Sequence, residues 1–435
     1  MTGSPLPPFR LHSIAFAYPG NRGTIPLRDP RTSRFLGDEP EWNADGRRVA
    51  AAFVRGSRPG VRVCFARNSR VMGRSAVVRV GARARQGPGV TERKLTLRFG
   101  TGGVSAPRDF ELDAPIDQAA GRVEHELRWY LRDARGERAL GVTRHEWLRA
   151  RKTPISPSDW ASPKEPRDGP VGQPDVPWVY LPIMRWSCEW GGDNPSEREL
   201  CDALLAGLPR SGLKYAVAAW NVRDMLRKGG GYCGGFYRMF QALAGAQGVH
   251  LTRRQFAVDW RRESRSQARW CAIVVETGGL NRKRPAEGAS TFHDVDRVPV
   301  TRSPIETERE RRYRFWGIPG QVGDGHSLNF LHFEGHWYIY DGSFQLRVEL
   351  SGFRLPRSDP KRSIPIGKLG NFKEAYLDRA VNFMLGSLDH RGKLVETVHP
   401  KPNAAGFSRH RTRNGLSVKT SLIEKGQSLI TFYWL

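Results

Sequence analysis

The chain is predicted to be an α+β protein: an N-terminal antiparallel β-sandwich over residues 1–150, a proline-rich linker over 151–177 and an α+β domain over 178–435. Three observations carry this. Residues 10–150 consist of short runs that alternate apolar and polar positions, punctuated by Gly, Pro, Asn and Asp, the pattern of half-buried strands. Residues 152–177 hold seven prolines and no periodicity, which makes a semi-rigid spacer. Beyond it, apolar residues first recur at helical spacing and then return to strand-like aromatic runs.

In order along the chain, the runs 48–54, 61–65, 76–80, 95–99 and 123–131 are the strands expected of the sandwich, a module suited to docking or targeting. After the linker, helices are expected over 196–206 and 214–228. A third follows Gly229-Gly-Gly-Tyr-Cys233-Gly-Gly, where Phe236, Phe240, Leu243 and Ala244 fall on one helical face and Gly248 is placed to end the helix. Strands are expected at 256–260 and 270–276, and a hairpin from His326 to Phe344. Residues 281–314, with nine basic and six acidic side chains, are expected to be an exposed insertion. The alternation over 416–435, ending Leu-Ile-Thr-Phe-Tyr-Trp-Leu, suggests a closing strand.

Two of these elements carry chemistry. Cys233 falls at the first turn of its helix. Unpaired backbone N–H groups and the positive end of the helix dipole stabilise a thiolate there, bringing its pKa from about 8.5 into a range of roughly 3.5 to 7.5. In the hairpin, Glu334-Gly335 makes a tight turn between two aromatic runs. Counting outward from Phe333 opposite His336 puts Leu328 opposite Asp341 and His326 opposite Ser343. His326 and Asp341 are then diagonal neighbours on one face, within reach of each other. Such a carboxylate fixes the imidazole tautomer, and the other ring nitrogen is left for a nucleophile such as Cys233.

Other residues have plainer readings. His332 and His336 point to opposite faces across the turn, so no metal is expected. Asn329 falls on the face away from His326. Trp220, thirteen residues before Cys233, is a candidate oxyanion donor, although core packing suits its spacing better. The backbone N–H of Gly234 is the other candidate, a type of donor that contributes around 3 kcal/mol where one has been removed.

The order Cys233, His326, Asp341, the Gly-Tyr-Cys helix start running to Ala-Gln-Gly-Val, and the hairpin with Trp337 and Tyr338 before the aspartate resemble the transglutaminase-like branch of the papain-type thiol enzymes. The resemblance spans about residues 177–350. It implies a nucleophile at Cys233, a base and acid at His326 and an orienting group at Asp341. The reaction implied is acyl transfer from a glutamine carboxamide or peptide bond of a protein or peptide substrate, without a cofactor. Ser327 stands where the family commonly has an aromatic residue, and the 93 residues from Cys233 to His326 make a long gap. The alternative is a catalytically silent scaffold of the same fold that binds a partner protein.

Composition sets the bounds. At 435 residues and 39% hydrophobic the chain is long enough for two or three cores. No run approaches the roughly 18 apolar residues of a membrane span. Cysteines 64, 188, 201, 233 and 271 show no metal-ligand spacing, and the first residues lack the pattern of a cleaved signal. Synthesis and storage in the cytoplasm is the expectation; export by a route without a cleaved signal stays open, and the build matches that of a secreted bacterial effector or toxin. The net charge of +26 comes from dispersed arginines without a nucleic-acid motif. No specific nucleic-acid partner is expected, and attraction to anionic surfaces is.

Overall fold

The computed structural model describes residues 7–68, 75–116, 119–134, 136–163, 165–215, 219–260, 270–276, 313–314, 326–343, 345–357, 359–364, 370–372, 375–376, 381–388, 394–398, 410–411, 417–418 and 430–434. It is a mixed α+β protein with antiparallel sheets. The chain divides into two compact units, residues 1–207 with 221–227 and 241–250, and residues 208–220 with 228–240 and 251–435.

The first unit is built on alternation. Its strands are β1 (Phe9–Ala15), β2 (Leu27–Arg28), β3 (Trp42–Asn43), β4 (Ala51–Val54), β5 (Gly60–Arg67), β6 (Ser75–Ala84), β7 (Val90–Arg98), β8 (Arg108–Glu111), β9 (Gly121–Asp133), β10 (Gly136–Ala150) and β11 (Val179–Tyr180). They form a four-stranded sheet in the order β3-β1-β5-β8 and a five-stranded sheet in the order β4-β10-β9-β6-β7. Both are antiparallel except that β4 runs parallel to β10. Along much of β5, β7 and β9 alternate residues turn inward, and Phe9, Val63 and Phe65 of one sheet join Phe53, Val80, Trp129 and Trp147 of the other in a single core. On the outer face of the larger sheet the arginines are paired: Arg83 and Arg132 with Glu137, Arg79 with Glu92, Arg128 and Arg144 with Glu126. These exposed pairs add little stability each, but they neutralise much of the local positive charge.

The proline-rich segment packs into this unit. Ser156 caps the short helix α1 (Pro157–Trp160), and Trp160 is buried edge-on to Trp178 and Tyr180. Two helices follow, the first not expected and the second matching the helix expected over 196–206. Helix α2 (Leu181–Gly191) carries Pro182 in its first turn, and α3 (Glu197–Gly207) opens on a reciprocal cap in which the Ser196 hydroxyl accepts from Glu199 N and Glu199 Oε2 accepts from Ser196 N.

The expected helix over 214–228 is shorter. Residues Lys214–Tyr215 form β12, and α4 (Val222–Lys228) begins where the Asn221 side chain accepts from Asp224 N at 2.8 Å, a cap that stops the helix from extending backward. Strand β13 (Gly230–Gly231) then pairs with β12.

Helix α5 (Cys233–Gly245), whose residues up to Phe240 belong to the second unit, leads into β14 (Thr252–Trp260) of that unit. The remaining strands are β15 (Trp270–Glu276), β16 (Tyr313–Arg314), β17 (His326–Phe333), β18 (His336–Asp341), β19 (Leu346–Leu350), β20 (Asp359–Ile364), β21 (Val381–Leu388), β22 (Leu394–Val398), β23 (His410–Arg411), β24 (Ser417–Val418) and β25 (Ile430–Trp434). Six of them make an antiparallel sheet in the order β19-β18-β17-β14-β25-β20. The closing strand expected of the tail is therefore internal to this sheet. Apart from Tyr313 and Arg314, the insertion expected over 281–314 lies outside the described residues.

Candidate active site

Connectivity explains why the cysteine helix and the hairpin meet. Helix α5 rises about 1.5 Å per residue, and β14 returns at about 3.3 Å per residue. Four strand residues after Thr252, at Phe256, the chain has travelled back alongside much of the helix. Phe256 is the register partner of His326, so the antiparallel pairing sets the start of β17 toward the cysteine end of the helix.

Glu334 and Gly335, both with positive φ (49° and 79°), make the two-residue turn. Phe333 faces His336, and Asn329 faces Tyr340. His326 Nε2 lies 2.8 Å from Asp341 Oδ2, with the two side chains 0% and 1% exposed. Asp341 Oδ1 accepts from Ser343 N at 2.9 Å, and the Tyr376 hydroxyl donates to Oδ2 at 2.6 Å. With Nε2 on the carboxylate, Nδ1 is the ring nitrogen on the other side, and Cys233 lies near enough to favour a charge on the His326 ring. Burial opposes a charge on this imidazole, but Asp341 and Cys233 together outweigh it and raise its pKa.

Cys233 is 1% exposed, at the first position of α5. The Tyr232 carbonyl accepts the first helical bonds, from Gly235 N at 2.8 Å and Phe236 N at 2.9 Å. The Cys233 and Gly234 amides precede those bonds, so they lie at the positive end of the dipole. The other thiols differ. Burial pushes Cys188 up to about 12 and raises Cys201 as well, whereas Cys64 is part-exposed.

Trp220, expected to favour core packing, is instead 49% exposed. Its ring lies over the helix start: a methyl group added at Gly234 would come 2.8 Å from Trp220 Cε3. The Cε3–Cζ3 edge meets Gly234, the edge opposite the indole N–H. Arg238, one turn further along α5, donates to the carbonyls of both Trp220 (2.9 Å) and Gly234 (3.1 Å), tying the two together.

Asn329 was expected to face away from His326. It donates to the Tyr237 carbonyl at 3.1 Å and so pins β17 to α5 one turn beyond the thiol. Among the described residues, no group of three His, Cys, Asp or Glu side chains is placed to hold a metal ion. No helix is long and apolar enough to cross a membrane, among the same residues. No protein-family model matches the chain, and no curated protein matches it.

Proposed function

We propose that this protein is a cysteine-dependent acyltransferase or hydrolase acting on a glutamine carboxamide or peptide bond of a protein or peptide substrate. The observation that carries the reading is the buried His326–Asp341 pair, 2.8 Å apart, with Cys233 at the start of α5 near enough to act on the charge of the ring. In this reading the second unit is a transglutaminase-like domain, and the two sheets of the first form a sandwich that docks the substrate.

The Cys233 thiolate attacks the carbonyl carbon, and the electron pair of the C=O bond moves onto oxygen, next to the Gly234 amide. Collapse of that intermediate breaks the C–N bond, and the imidazolium of His326 gives its proton to the departing ammonia or amine. A thioester remains. An amine or a water molecule then attacks it while His326 takes the incoming proton, and the thiolate leaves. Asp341 keeps the ring in the orientation both steps require.

Incubation with a glutamine-rich protein and a labelled primary amine tests the reading. Amine incorporation identifies a transglutaminase, ammonia release alone a deamidase, and new chain termini a peptidase. Whichever signal appears should vanish in Cys233→Ala. Activity that survives this substitution refutes the proposal, and tight partner binding with no reaction points instead to a silent scaffold.

A further inference from the structure

Asp341 receives a donor that nothing in the sequence announces. Tyr376, fully buried, sets its hydroxyl 2.6 Å from Oδ2, the same oxygen that meets His326. The ring is the last of a stack of four aromatic side chains. Phe330 lies parallel to Phe353 (5.6 Å between centroids, 4°), Phe353 to Phe372 (6.3 Å, 25°), and Phe372 to Tyr376 (5.4 Å, 27°). The stack begins on β17, four residues after His326, and ends on the carboxylate at the end of β18. One hairpin therefore supplies both the group being oriented and the foot of the stack that orients it.

We propose that Tyr376 is a positioning residue of this site, fixing the plane of the Asp341 carboxylate so that Oδ2 holds the His326 ring with its other nitrogen toward Cys233. The inference rests on the thiol-enzyme reading above. A carboxylate turns readily about its last torsion, and the bond to His326 alone leaves it free to rock. Ser343 N on Oδ1 and Tyr376 on Oδ2 engage both oxygens from fixed directions. Each also replaces a water that the buried group has lost. The phenol suits this task because its stacked ring leaves it little freedom to follow a rocking carboxylate.

The test needs no substrate. Iodoacetamide alkylation of Cys233 is followed by mass spectrometry from pH 5 to 10 in the full chain, in the wild type and in Tyr376→Phe, which keeps the stacked ring and removes only the oxygen. With the tyrosine present, Cys233 should react rapidly and almost independently of pH through neutrality. The variant should react about tenfold to a hundredfold more slowly at pH 6, the range that corresponds to losing a hydrogen bond to a charged group. Its rate should now climb with pH, a change that a purely structural role for the hydroxyl does not produce.

Equal rates and profiles in the two proteins overturn the role of Tyr376 and leave the thiol-enzyme reading standing. If wild-type Cys233 reacts no faster than Cys64, the thiol-enzyme reading itself fails. Should Tyr376→Phe not fold, Phe353→Leu decides: it removes a ring from the stack and keeps the hydroxyl. A slower, more pH-dependent Cys233 in that variant supports the proposal, and an unchanged one overturns it.

Discussion

Acid should unfold the first unit by charging two histidines that its core holds neutral. His125 and His145 face each other across β9 and β10 and are both buried. His125 stacks on Trp147 (3.6 Å between centroids) and bonds the Pro88 carbonyl through Nε2 at 3.0 Å. His145 Nε2 lies 2.8 Å from the Thr143 hydroxyl, which also accepts from Trp129 Nε1 at 2.9 Å.

Burial lowers His125 to about 4, with the Pro88 bond opposing it, Arg149 adding to it and Asp113 resisting. Burial, His125 and Arg48 lower His145 to about 3. Both folded-state values lie below the unfolded value of about 6.5, so the stability they carry is present above that pH and is lost as the pH falls. At pH 5 the unfolded chain binds both protons and the folded one neither, which costs about 2 kcal/mol per histidine and about 4 kcal/mol together. That is a large part of the 5–15 kcal/mol typical of a domain.

Urea unfolding followed by circular dichroism at pH 7.5 and 5.0 measures the loss. With a slope of about 2 kcal/mol per molar urea, the midpoint should fall by about 2 M. The double variant His125→Gln, His145→Gln keeps every carboxylate and arginine, so it isolates the histidine contribution. If the wild-type midpoint moves no more than that of the double variant, the core does not exclude these charges and the reasoning fails.

At the candidate site, the raised pKa of His326 means that the ring's charged form is favoured at full strength below about pH 6.5 and is lost only as the pH rises through about 10. Alkylation of Cys233 should accordingly stay nearly flat between pH 6 and 9, where an ordinary thiol gains about tenfold per unit; a rate that climbs in parallel with Cys64 contradicts the pairing. His326→Ala should abolish the assay signal almost as fully as Cys233→Ala, whereas Asp341→Asn should leave a residue of activity, since nucleophile and base both remain. Equal losses in all three would deny Asp341 a merely orienting role. Gly234→Ala should push the Trp220 ring off the helix start, visible as a shift in tryptophan emission and as faster alkylation of Cys233 if the ring covers the thiol; an unchanged emission spectrum would show that the ring does not rest there.

Local signals account for what the sequence makes legible. Helix α5 and the β17–β18 hairpin each depend on spacing within about twenty residues, with a turn pair that sets the register and carries His326 to Asp341. Signals that depend on distant partners are silent. Strand β10 hides its alternation behind the register shift between Ala139 and Gly141. Trp220 reads as a core residue, yet it lies half exposed because Gly234 leaves room for its ring and Arg238 ties down its carbonyl. Tyr376 reaches Asp341 from 35 residues away through a stack of rings that no periodicity encodes.

Trp434 pairs with Phe256, made 178 residues earlier (434 − 256), and β25 fills the place between β14 and β20. At about 5–20 residues per second of synthesis, roughly 10 to 35 seconds separate the two. Strand β14 meets β17 much sooner, since His326 follows Phe256 by only 70 residues (326 − 256). Through the interval the opposite edge of β14 is a row of unpaired backbone groups, a template for capture by neighbouring chains. A chain interrupted before residue 430 carries Cys233, His326 and Asp341 but lacks the strand that covers this edge.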